Sequence, residues 1–307
     1  MDHFQEYLAT EVALDHADGQ LTRREALRRL GKLGLSLTAA SALIAACGKN
    51  KDEASTAPAA QGSTTAAPAV TTATTVATPT TARAATTPVP SQDITFPGPN
   101  GTMLAAYAAA SSPKGAVIIV HENRGLVDAT KAVASRLAGD GYSGLAVDLL
   151  SEEGGTAKVP AGDVASALNS AGPGRIRGDL KAGIDELVKR NPSAKIGMIG
   201  FCFGGTVVWD FLTQDEPRLA AAAPFYGTVP PDVVFKTKAA VFGIYGETDN
   251  RVNATRDAAN AGLEKAGIPH QIKTYPGVGH AFYSDTGSEQ SKAAYNDVLD
   301  WFGRYLK

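Results

Sequence analysis

Apolar positions fall into short unbroken runs separated by longer stretches of helical period. Residues 116–120 (AVIIV) are continuously apolar and mostly β-branched, the pattern of a strand buried on both faces. Further strand candidates occur at 146–149, 196–199, 220–226 and 240–245, with a more polar one at 271–275. Between and after them, 130–138, 176–190, 207–212, 256–266 and 291–306 carry helix-type spacing, and Asn191-Pro192 stops the second of these. Two short strands, 94–96 and 102–109, are joined by Pro97-Gly98-Pro99-Asn100-Gly101, and 151–174 reads as a polar, glycine-rich excursion. Strands alternating with helices at this spacing predict a three-layer α/β fold with a mostly parallel central sheet.

The part before Ser91 has a different texture. Thr22-Arg23-Arg24-Glu25-Ala26-Leu27-Arg28 resembles a twin-arginine export signal, followed by a weakly apolar stretch, 33–46, too short to span a membrane comfortably. That stretch ends at Leu43-Ile44-Ala45-Ala46-Cys47-Gly48, which resembles a lipoprotein processing site with Cys47 as the acylated residue. From 49 to 90 the chain is almost all Thr, Ala, Pro, Ser and Val, a composition that buries too little apolar surface to offset its ordering entropy. The expected organisation is therefore a signal region (1–47) that is not folded protein, a disordered linker (48–90) and a globular domain (91–307). The expected location is outside the cytoplasmic membrane, with the domain anchored through Cys47 and delivered by the twin-arginine machinery.

Charge narrows the function classes. Lys+Arg number 29 against Asp+Glu 31, which argues against a nucleic-acid binder, a class that usually shows a strong basic bias. With Cys47 assigned to lipid, Cys202 is the domain's one thiol, and an unpaired thiol in an exported domain favours a chemical role.

Cys202 sits in Gly200-Phe201-Cys202-Phe203-Gly204-Gly205, between a strand run and a helix run. Small residues two before and two after the centre suit a sharp strand–turn–helix elbow that lifts a nucleophile clear of the sheet. The opening helix turn favours thiolate and oxyanion alike. Asp249 follows a strand in Gly246-Glu247-Thr248-Asp249, with Glu247 a rival acid two residues earlier, and His280 follows the next strand in Gly277-Val278-Gly279-His280. The order nucleophile, acid, histidine supplies a thiol, its base and a carboxylate to fix the base's tautomer. His121 and His270 read as structural.

The motifs HENRGL (from His121), GFCFGG, GETDNRV and GVGHAF together resemble the dienelactone hydrolase family, over residues 94–307. The resemblance implies an α/β-hydrolase fold and a Cys202–His280–Asp249 triad. It also implies an oxyanion hole from the amides of Asn123 and Phe203, and a role for Glu122 as the buried glutamate that pairs with the cysteine at rest. A carboxylate beside a thiol disfavours thiolate, so Glu122 is expected to keep Cys202 quiet until displaced. In family members acting on dienelactone, an arginine shortly after the histidine binds the substrate carboxylate. Here Ala281-Phe282-Tyr283-Ser284 stands in that place, leaving Arg124, Arg175 and Tyr283 as candidate substrate contacts.

These features predict an exported hydrolase of carboxylic esters or lactones acting through an acyl-thioester on Cys202. It is expected to be a monomer and to need no metal or organic cofactor. The alternative from another class is an exported small-molecule binding protein on a non-catalytic hydrolase scaffold.

Overall fold

The computed structural model describes residues 2–17, 19–53 and 86–307; most of the expected linker, residues 54–85, lies outside them. Three helices come first: α1 (His3–Ala17), α2 (Arg23–Lys32) and α3 (Leu37–Glu53). The expectation that the signal region 1–47 is not folded protein is corrected for its described residues, because Phe4, Tyr7, Leu8, Val12, Ala26, Leu30 and Leu33 are all buried. The cause is spacing: Phe4, Tyr7, Leu8 and Val12 form one stripe of α1. Thr22 and Glu25 take the positions of a capping box that starts α2, with the Glu25 amide donating to Thr22 Oγ1 at 3.2 Å. Among the described residues no helix is long and apolar enough to cross a membrane.

The domain follows as β1 (Gln92–Gly98), β2 (Gly101–Ala108), β3 (Gly115–Val120), α4 (Asp128–Gly139), β4 (Tyr142–Val147), α5 (Val164–Arg190), β5 (Ile196–Phe201) and α6 (Phe203–Phe211). It continues with β6 (Leu219–Phe225), β7 (Ala240–Gly246), α7 (Asn250–Asn253), α8 (Arg256–Lys265), β8 (His270–Tyr275) and α9 (Glu289–Tyr305). The eight strands form one sheet in the order β1-β2-β4-β3-β5-β6-β7-β8. β1, β2 and β4 pair antiparallel, and every pairing from β4 through β3 to β8 is parallel. β3 and β5 are buried at every position, as their unbroken apolar runs require. This is the α/β-hydrolase architecture.

One boundary differs from the sequence expectation. The excursion 151–174 contains two single 3₁₀ turns and the first part of α5, which breaks at Gly172 (φ 68°, ψ 163°) and restarts at Pro173. Proline suits the first turn of a new helical segment, where its missing N–H is not needed. Because the sheet is parallel from β4 to β8, the carboxyl ends of β3, β5, β6 and β7 share one rim, the usual ligand side of such a sheet.

Candidate active site

Cys202 stands between β5 and α6 with φ 56° and ψ −119°, outside the regions that non-glycine residues ordinarily adopt. Its amide donates to Phe225 O at 3.2 Å, tying the turn to β6. The two flanking glycines are there for close approach. A Cβ on Gly200 would lie 2.2 Å from Gly204 O, and one on Gly204 would lie 2.4 Å from Val120 O and 2.5 Å from His121 O. The elbow is therefore pressed directly against the end of β3, where Glu122 and Asn123 begin the next loop. As the first residue of α6, Phe203 has an amide without an intrahelical acceptor.

His121 anchors that loop. It is fully buried, its Nε2 accepts from the Leu149 amide at 3.1 Å, and its Nδ1 donates to Glu122 O at 2.7 Å. Thr156 completes the brace, taking the Leu126 amide on Oγ1 at 2.9 Å and donating to Asp148 at 2.8 Å.

Asp249 and His280 meet because their loops interlock: the Thr248 amide donates to Val278 O at 3.0 Å. Asp249 Oδ2 lies 2.5 Å from His280 Nδ1, while Oδ1 accepts the Val252 amide at 3.3 Å and caps α7. Glu247, the rival acid, is exposed and accepts the Gly277 amide at 2.7 Å. The other imidazole nitrogen faces Cys202, and Tyr226 packs edge-on to the ring at 5.1 Å.

Two further polar neighbours of the thiol come from α1. Tyr7 Oη donates to Cys202 Sγ at 3.1 Å, and Sγ donates to Glu11 Oε2 at 3.8 Å. The other Glu11 oxygen lies 3.9 Å from His280 Nε2 and pairs with Arg251. Burial pushes the Cys202 thiol up and Glu11 adds to this, while His280 acts in the opposite sense. Burial disfavours the His280 cation, but Glu11, Cys202 and Asp249 outweigh it and hold the imidazole well above its ordinary value.

The carboxylate with a hydrogen bond to the thiol is that of Glu11, while Glu122 acts on Cys202 through its charge, raising the thiol as expected of a neighbouring carboxylate. Burial pushes the Glu122 carboxyl up, and His280 and Arg124 draw it back down. Arg124 is exposed. Arg175 is committed elsewhere, with Nη2 donating to Glu153 at 2.6 Å and to Leu149 O at 3.0 Å. Tyr283 is buried and stacks on Phe201 at 4.9 Å, so its ring serves the core instead of an open rim. Cys47 is half-buried on α3.

Tyr7, Glu11, Arg251 and Tyr226 are the site residues that sequence reasoning missed. Arg251 lies within the GETDNRV motif and was visible there, and Phe4, Tyr7, Leu8 and Glu11 share one helical face. Tyr226 carried no signal: it gives itself away only by φ 35° and a buried hydroxyl without a partner among the described residues. Glu11, Cys202 and His280 have donor atoms within 4.8 Å of one another, close enough to hold a metal ion. Arg251 and Tyr7 already engage the carboxylate and the sulfur, which disfavours that use.

The model of the dienelactone hydrolase family matches residues 102–306. A protein of Salmonella typhimurium, provisionally named a carboxymethylenebutenolidase, is 29% identical over 238 residues, covering 69% of this chain and 86% of that protein. A Methylorubrum extorquens protein of the same provisional name is 27% identical over 220 residues, covering 65% and 75%. Among solved structures, a Klebsiella pneumoniae protein provisionally described as a dienelactone hydrolase superposes with a TM-score of 0.62 at 25% identity, covering 70% of this chain and 98% of that one. Dienelactone hydrolase from Anabaena variabilis does so with a TM-score of 0.60 at 19% identity, covering 71% and 100%.

Proposed function

Because the chain belongs to the dienelactone hydrolase family, we propose that it hydrolyses carboxylic esters or lactones through a thioester on Cys202. The observation that carries this reading is the 2.5 Å Asp249–His280 contact, with the imidazole's other nitrogen turned to a thiol at a strained elbow. His280 takes the thiol proton as sulfur attacks the carbonyl carbon, and the amides of Phe203 and Asn123 stabilise the oxyanion. Collapse breaks the carbon–oxygen bond, and His280 returns the proton to the leaving alkoxide. Water then attacks the thioester, giving its proton to His280, and the thiolate leaves and is reprotonated. Asp249 keeps the histidine proton on Nδ1, so that Nε2 presents a lone pair to sulfur.

Intact-mass spectrometry of the full chain mixed with p-nitrophenyl acetate, alongside nitrophenolate release, tests the reading. The expected result is a transient acetyl adduct on Cys202 that persists in His280→Ala and is absent, with turnover, in Cys202→Ala. Equal nitrophenolate release by Cys202→Ala and the unaltered chain would overturn it.

We further propose export through the twin-arginine route with lipid attachment at Cys47. Arg23 and Arg24 are exposed at the start of α2, which supports recognition of the pair by an export receptor. Replacing both with lysine keeps the charge and the helix, yet is expected to leave the protein in the cytoplasmic fraction. Unchanged fractionation would overturn the export proposal.

A further inference from the structure

Cys202 is only 4% exposed, and α1 is what closes over it. Phe4 packs edge-on to Phe203 at 5.4 Å, Tyr7 reaches the sulfur, and His3 Nε2 lies 3.1 Å from Thr228 Oγ1 beyond the end of β6. Glu11 sits between the thiol, His280 and Arg251, with its side chain 9% exposed. Bringing a carboxylate out of water beside a thiol is unfavourable unless a cation compensates it. Arg251 is that cation. Its Nη2 donates to Glu11, and its guanidinium lies over the Tyr7 ring at 4.6 Å. Its Nε is buried without a partner among the described residues, so the fork has donor capacity that Glu11 does not use.

Both the hydrogen-bonded and the ring partner of Arg251 therefore belong to α1. They occupy the space beside Sγ through which an acyl group has to enter. Helix withdrawal would leave the guanidinium facing the nucleophile with its donors unmet.

We propose that α1 is an intramolecular pseudosubstrate. The Glu11 carboxylate, held by Arg251, stands where an acidic group of the substrate binds, and turnover requires the helix to leave. Tyr7 adds the second restraint by occupying the sulfur lone pair. The vacated guanidinium is then free to pair with an anionic group of an entering acyl compound. Carboxylate recognition by a guanidinium is a charge-assisted contact, favourable by about 1.5–3 kcal/mol, or at least about tenfold in binding. The proposal rests on the reading of Cys202 as the nucleophile.

The test uses the full chain and two small alkylators of the thiol, neutral iodoacetamide and anionic iodoacetate, in which sulfur displaces iodide from carbon. Labelling of the Cys202 peptide is followed by mass spectrometry, apart from that of Cys47. In the Tyr7→Phe, Glu11→Gln variant, Cys202 is expected to label at least about tenfold faster than in the unaltered chain, the size of one lost charge-assisted contact. The rate ratio of iodoacetate to iodoacetamide is expected to rise by a similar factor. Adding Arg251→Met to that variant should return the ratio to its starting value, and Arg251→Lys should retain part of the gain. Equal labelling of Cys202 with and without the two α1 substitutions, or a ratio insensitive to Arg251, would overturn the proposal. Nitrophenyl acetate turnover measured in parallel separates the two readings. Turnover that survives Cys202→Ala removes the nucleophile assignment, whereas the labelling rates still decide whether α1 covers the thiol.

Discussion

Asp249→Asn is expected to lower kcat for p-nitrophenyl acetate by on the order of a thousandfold with little change in the thermal midpoint. The reason lies in the two bonds that Asp249 makes. Oδ1 accepts the Val252 amide at the start of α7, and Oδ2 faces His280 Nδ1. An asparagine keeps the cap only by placing its carbonyl oxygen at the Oδ1 position, which turns the NH₂ toward Nδ1. A donor there forces Nδ1 to accept, moves the histidine proton to Nε2 and removes the lone pair that takes the thiol proton. Activity and unfolding curves of the same preparation check this. Activity within a few-fold of the unaltered chain would show that another carboxylate, such as Glu11 or Glu247, orients the histidine.

A second large effect is expected from a single methyl group. In Gly204→Ala the new Cβ would meet Val120 O at 2.4 Å and His121 O at 2.5 Å, both backbone atoms at the end of a fully buried strand. Neither can swing aside as a side chain could, so relief requires α6 to lift away from β3. Overpacking of this kind costs about 3 kcal/mol or more, which for a domain of this size corresponds to a fall of roughly 10 °C in thermal midpoint. The same displacement would separate the Phe203 amide from the Asn123 loop, so residual folded protein should also be slow. Gly174→Ala is the matched control, because its Cβ would meet nothing within 4 Å. Equal midpoints for the two variants would mean that the elbow does not press on β3.

The centre of the sheet was legible because β3, β4, β5 and β7 are buried at every position, which leaves short apolar runs bounded by turn residues. Cys202 and Asp249 each follow such a run at a glycine-rich turn, whereas His280 follows the more polar edge strand β8 and was marked by its glycine turn and its order in the chain. Glu122 shows where that logic stops. Its position at the end of β3 was correctly inferred, but which carboxylate touches sulfur is decided by packing between segments far apart in the chain. Tyr7 and Glu11 reach Cys202 across sequence separations of 195 and 191 residues. The short apolar stretches before residue 47 fit a leader peptide and a folded helix equally well. The same side chains serve either role, and the packing of α1 on Phe203, Arg251 and Cys202 is a surface that the local pattern does not encode.

The attachment of α1 to the domain gives its contact with Cys202 an unusual concentration dependence. A free inhibitor is diluted with its target, but a segment of the same chain acts at a fixed local concentration. Dilution therefore cannot relieve the block, and a substrate has to outcompete a rival whose abundance never falls. The apparent KM is raised by the same factor in a crowded compartment and in a dilute assay. A cut before Cys47 would end that competition at once, because the released helix would fall from its tethered concentration to that of any other peptide in solution.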